Sequence, residues 1–142
     1  MNRAQKDLAE GKAPSTQAGE FVREEFHHIR QGKHGARSTR QAIAIGLSNA
    51  RRAGVKLPPP KPGKVSAKVR RQAEREYEKG DRGNGTPSRR RSRATMAALQ
   101  REGHRSASSS AISRQARRSA RNRSAGERSA AGRKAARTRS AE

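Results

Sequence analysis

The large hydrophobic residues are bunched near the N-terminal end, and there they repeat with a helical period. Phe21, Val22, Phe26 and Ile29 fall at i, i+1, i+5 and i+8, which is one face of a helix over residues 16–31. Pro14, Ser15 and Thr16 precede it, with Ser15 or Thr16 as the expected N-cap, and Gly32 and Gly35 end it. Ile43, Leu47 and Ala50, at i, i+4 and i+7, mark a second helix from about Thr39 to Ala53, and Ala42, Ala44 and Ile45 widen its apolar surface. Ser38-Thr39-Arg40-Gln41 has the form of a capping box, with Ser38 as N-cap and Gln41 at N3, and Gly54 suits the position after the helix. Two such helices joined by a Gly-containing loop predict a helical hairpin over residues 16–57, each face having only the other to cover it. Phe21, Phe26, Ile43 and Leu47 would carry that packing. Two helices alone bury little, so pairing of hairpins into a homodimer is a natural expectation.

Beyond the hairpin the pattern thins. Pro58-Pro59-Pro60-Lys61-Pro62 predicts a stiff polyproline linker over 58–65. Val69, Ala73 and Tyr77 recur every four residues and predict a third, short amphipathic helix over 66–80, helped by the Arg70–Glu74 pair. Glu74, Glu76 and Glu78 read as moderating the charge of that basic helix. Asp81-Arg82-Gly83-Asn84-Gly85 predicts a flexible loop. From Pro87 the chain is built of Arg, Ser and Ala. Met96 and Leu99 give a faint apolar face that Gly103 would end, and Arg-Ser dipeptides then recur at 105, 118, 123, 128 and 139 without a fixed period. Ala and Arg favour helix, whereas repeated Ser and like-charge repulsion oppose it. The expectation is a low-complexity basic tail over 81–142, disordered when free and partly helical on a polyanion, with a flexible N-terminus over 1–15. The fold class is therefore mostly α with extensive disorder: a small helical hairpin, a third short helix and a long Arg/Ser/Ala-rich tail.

Composition supports a small core and changes the functional picture. Only 29% of the 142 residues are hydrophobic, with 2 Phe, 1 Tyr and no Trp, against roughly half in average globular domains. Low hydrophobicity with high net charge is the signature of disorder. The 35 Lys and Arg against 12 Asp and Glu leave a net charge of +23, and +13 of it lies after residue 86. Such an excess calls for a polyanion, and phosphate neutralisation with counterion release is the commonest answer. The bets for phosphate contact are Arg89, Arg90, Arg91, Arg93, Arg114, Arg117, Arg118, Arg121, Arg123, Arg133, Lys134, Arg137 and Arg139. Arginine binds phosphate bidentately and stays charged. The tail has almost no aromatic residue to stack on bases, which favours duplex DNA over single strands. The bland alternative is a solubilising tail. A ribosome-associated RNA binder and a protein-interaction hairpin are the other two readings.

Sequence-specific readout fits less well. The second helix spends its N-terminal half on apolar residues, where a recognition helix needs polar side chains to reach base edges. Arg51 and Arg52 sit at its C-terminal end, where cations also complement the helix dipole.

The stretch STRQAIAIGLSNARRAG, Ser38 to Gly54, is similar to the core of a small bacterial family of unknown function that reads R-K-Q-A-I-A-I-A-L-S-x-A before basic residues. The preceding VREEF, Val22 to Phe26, resembles that family's basic, apolar, x-E-F helix. Gly46 stands where the family usually has Ala, and the loop lacks its Gly-Lys-Leu-x-Ser-Gly pattern. The resemblance covers about residues 18–57 and implies a helical hairpin, a bacterial or phage origin and a basic cytoplasmic protein, with no catalytic residues to carry over. The tail is similar in composition alone to the basic tails of bacterial histone-H1-like proteins, which implies a nucleoid location.

Other chemistry finds little footing. The absence of Cys excludes disulfide and thiol chemistry. No apolar leader opens the chain, and no run approaches 18 apolar residues, so neither a secretory signal nor a membrane span is expected. No phosphate-binding glycine loop is present, and the core is too small to desolvate an active site, so neither an enzyme nor a cofactor is expected. His27, His28 and His34 lie near Glu24 and Glu25, which raises metal binding. Neighbouring His27 and His28 diverge by about 100° on a helix and no HExxH frame exists. These three and His104 are therefore read as surface histidines, with no metal.

Overall fold

A computed structural model of the chain describes residues 3–83 and 88–140. Among them it holds seven α-helices and one 3-10 turn: α1 (Arg3–Ala9), α2 (Pro14–Arg30), α3 (Thr39–Arg52), α4 (Ala67–Asp81), α5 (Arg89–Gln100), the turn Arg105–Ala107, α6 (Ser109–Arg121) and α7 (Ala125–Ser140). The only strand-like pairing among them is an isolated bridge between Pro62 and Val65. The chain divides into two compact units, Met1–Ala107 and Ser108–Glu142. The predicted loop residues Asn84 and Gly85, with Thr86 and Pro87, lie outside the described residues.

The first unit is built around α2 and α3, which run antiparallel. Ile29 meets Ala42 in one buried cluster, Val22 faces Gly46, and Ala18 meets Ala50 in a second cluster. Pro14 opens α2 with Ala13 as N-cap, not Ser15 or Thr16; proline's fixed φ suits the first helical position and needs no side-chain cap. Ser38 caps α3, accepting from the Gln41 N–H at 3.1 Å, and the Gln41 side chain reaches back to the N–H of Arg37 at 2.6 Å. Gly54 follows α3 at φ +93°, a conformation that suits glycine. A Cβ on Gly46 would stand 2.6 Å from the Val22 Cα, so the two helices approach closely only because that position carries no side chain. The core is mostly small residues. Ile29, Ala36, Ala42 and Ala107 pack with Phe26; Ala18, Ala50 and Val55 pack with Phe21, Leu47 and Leu57.

The hairpin has neighbours. α1 packs on α2 with Ala4 and Asp7 buried, and Lys12 Nζ holds Asp7 Oδ1 at 3.0 Å. α4 packs on α3 through buried Ala73. Glu76, read from sequence as a surface moderator, is buried: its Oε1 accepts from Ser48 Oγ and Gln72 Nε2, both at 2.7 Å. Gly80 lies inside α4, and a Cβ there would collide with the Arg51 carbonyl oxygen. Lys56 and Asp81 form an ion pair beside it.

The expectation of extensive disorder with a long tail is overturned. Most of the described residues are helical, including segments placed in the flexible N-terminus and the tail. Two physical reasons account for this. Residues 99–107 attach to the hairpin through backbone groups that hydrophobicity does not count. The Gly35 N–H donates to Leu99 O at 2.9 Å and the Ala36 N–H to Gly103 O at 3.1 Å. Arg30 Nε donates to Ala107 O at 2.8 Å and Thr39 Oγ1 to Ser106 O at 2.7 Å. The serines, counted as helix-opposing, in several places start helices instead. Ser88 Oγ caps α5 through the Arg91 N–H, and Ser108 Oγ caps α6 through the Ala111 N–H. Ser124 and Glu127 form a reciprocal capping box at α7, at 3.2 and 2.7 Å. Between those caps, Ala and Arg have high helix propensity.

Candidate nucleic-acid interface

All thirteen cations expected to meet phosphate are exposed, and among the described residues none is ion-paired. Their presentation differs by helix. Arg89, Arg90, Arg91 and Arg93 crowd the start of α5, whose first turn has no acidic residue. Cations at this positive end of the helix dipole cost about 0.3–1 kcal/mol each. An anion there would reverse that penalty.

On α6, Arg114, Arg117, Arg118 and Arg121 share an arc of about 100° and span about 10 Å of helix, as a repeat of 100° and 1.5 Å per residue dictates. Ile112, Ala116 and Ala120 fall on the opposite side. The four arginines are i,i+3 and i,i+4 neighbours of like charge, destabilising by a few tenths of a kcal/mol per pair. On α7 the pattern is looser. Arg133, Lys134 and Arg137 share one side and Arg139 lies opposite. Arg123 sits between α6 and α7, and its carbonyl accepts from Arg128 Nη1 at 2.6 Å. The structure thus groups four of the predicted residues at one helix start and four on one helix face, and spreads the others.

Not every arginine is available. Arg51 is buried; it donates from Nε to Leu57 O at 3.3 Å and from Nη2 to Pro58 O at 3.5 Å, clamping the proline segment to α3. Burial lowers its pKa, with Glu76 opposing.

The histidines divide as sequence reasoning did not foresee. His27 is exposed and contacts the Gln31 side chain, and His104 is exposed. His34, read as a surface residue, is buried, and its Nδ1 lies 3.0 Å from Gly35 O. Its Nε2 lies 3.3 Å from Oε1 of Glu25, whose side chain is 5% exposed. Despite that proximity, Oε1 accepts no hydrogen bond. Burial pushes the Glu25 carboxyl up, with His34 opposing. His28, one helical turn from Glu25 at i+3, is half-buried, and its ring packs edge-on to His34 at 6.3 Å. Burial, with Lys33 adding to it, lowers the His28 pKa and favours the neutral ring. One ligand-capable atom from each of Glu25, His28 and His34 lies within 4.8 Å of the others. The i, i+3 spacing of Glu25 and His28 was visible in the sequence. The return of His34 was not, because it depends on the 31–38 loop docking against Leu99 and Gly103.

No helix among the described residues is long and apolar enough to cross a membrane. Comparison with curated proteins and with solved structures gives no match. Residues 14–61, which hold α2, α3 and the first three prolines of the proline segment, match a family of unknown function, DUF6496.

Proposed function

We propose that the chain binds nucleic acid, duplex DNA in preference to RNA, through sequence-independent phosphate contacts, in an architectural, nucleoid-associated role rather than a catalytic one. The observation that carries this is the set of exposed, unpaired arginines on α5 and α6. Their placement weakens the isolated helices, against the dipole on α5 and against one another on α6, and a phosphate backbone removes both penalties. The α6 arc also matches its target in charge density. About 10 Å of duplex axis carries about six phosphate charges, against four arginines. The described part of α5 to α7 holds no Phe, Tyr or Trp to stack on unpaired bases.

The test is a salt series with random-sequence duplex DNA, structured RNA and heparin. The reading expects a steep, sequence-independent fall of log K with log salt on duplex, and weaker binding to RNA at equal salt. No duplex binding at low salt would refute it, and tighter RNA binding would move the assignment to RNA.

A further inference from the structure

The geometry points to a divalent transition-metal site formed by Glu25, His28 and His34, with a borderline ion of the Zn(II) class as its occupant. The cluster is built like a ligand set. A carbonyl only accepts, so the contact to Gly35 O places a proton on His34 Nδ1. Such a hydrogen bond orients metal-bound histidines and leaves Nε2 to act as the ligand. That Nε2 faces Glu25 Oε1, a buried carboxylate oxygen that receives no hydrogen bond from the protein. A buried anion is costly unless paired or bound to a metal. An imidazole and a carboxylate with only a poorly aligned contact between them leave that cost standing; an ion between them would satisfy both.

The distances fit. Metal–ligand bonds of roughly 2.0–2.2 Å in tetrahedral geometry put ligand atoms about 3.4 Å apart. Glu25 Oε1 and His34 Nε2 are 3.3 Å apart. His28 completes the set, all pairs lying within 4.8 Å. Two imidazoles and one carboxylate suit Zn(II) and its neighbours better than Ca(II) or Mg(II), which prefer all-oxygen shells. The His28 side chain is 31% exposed, so one side of the cluster opens to solvent and leaves room for a water ligand and for entry. The consequence is structural. Glu25 and His28 lie on α2 and His34 on the loop that holds residues 99–103, so the ion would fasten that loop to the hairpin.

The test uses the full chain stripped with a chelator and titrated with Zn(II) by calorimetry, and with Co(II) by visible absorption. The expected result is one tight equivalent, cobalt d–d bands of a four- or five-coordinate site with histidine ligands, and a rise in Tm on adding Zn(II). His28→Asn, at a half-buried position and with the fold checked by far-UV circular dichroism, should weaken the site roughly 100-fold or more, since even partners of the ligands contribute 10–100-fold. His34→Gln should do the same, with the fold checked by far-UV circular dichroism. His27→Asn, outside the cluster, should bind as the parent does. No bound equivalent in the full chain, or affinity unchanged in both His28→Asn and His34→Gln, would overturn the site and leave Glu25 and His34 as a buried ion pair.

Discussion

The α6 arc makes a quantitative claim. Changing Arg114, Arg117, Arg118 and Arg121 together to Gln removes four charges, breaks no ion pair among the described residues, and keeps a side chain of similar helix propensity. Each phosphate contact contributes about 0.9 to the slope of log K against log salt, so four lost contacts should flatten it by about 3.6. Referred to 1 M salt, the same counterion release weakens binding near 0.15 M by about a thousandfold, or about 4 kcal/mol. Fluorescence anisotropy with a random-sequence duplex from about 50 to 300 mM salt reads both numbers. Total charge is the confounder in a chain of net +23. The matched control is Lys61, Lys68, Arg71 and Arg82 to Gln, which removes the same charge from exposed positions of the first unit. The arc predicts a large slope change in the α6 variant and a small one in the control. Equal changes in the two would show that diffuse attraction, not this helix face, binds the DNA; an unchanged slope in the α6 variant would refute the interface outright.

Three further outcomes follow from the packing. Gly80→Ala should destabilise the first unit by about 1–3 kcal/mol, because its Cβ meets the backbone carbonyl of Arg51, which no rotamer change relieves; Gly132→Ala on α7, with nothing within 4 Å, should instead stabilise that helix by up to about 1 kcal/mol, and thermal melts with circular dichroism read both. Ser124→Ala should cost α7 about 1 kcal/mol by removing its N-cap, seen as faster amide exchange over Ala125–Ser140 and unchanged exchange in α2 and α3. Arg51→Met should leave the Leu57 and Pro58 carbonyls without their donor and lower Tm through a loss of about 1–3 kcal/mol, while the salt slope for duplex DNA stays at the parent value.

Where side-chain period carried the information, the sequence was readable. Phe21, Phe26 and Ile29 mark the buried face of α2 and Leu47 borders that of α3, whereas Ile43 joins neither buried cluster; the Ser38 cap follows from one tetrapeptide. What stayed hidden was carried by groups with little hydropathic signal. Gly46 and Gly80 permit backbone approach, and a pattern search registers a glycine only as a weak helix former. Ala4, Ala36, Ala73 and Ala107 fill the core, although each alone adds little apolar area. The stitching of residues 99–107 to the hairpin is backbone to backbone or side chain to backbone, so nothing in their composition announces it.

The same logic explains why the phosphate candidates were legible one by one while their grouping was not. An arginine is a charge wherever it sits, so composition finds it. Whether four arginines form one surface depends on the backbone between them being helical, and that rested on how the serines were read. Serine in a helix interior competes for backbone hydrogen bonds, but at an N-cap it satisfies an N–H that would otherwise lack a partner. Ser108 takes the second role at the head of α6. Once it does, the spacing 114, 117, 118, 121 ceases to be a random scatter of charge and becomes a single face. The Glu25–His34 pair obeys the same rule from the other direction: its chemistry is ordinary in sequence, and only the turn that follows α2 brings it together. In this chain the caps and turns decide which of these side chains share a surface.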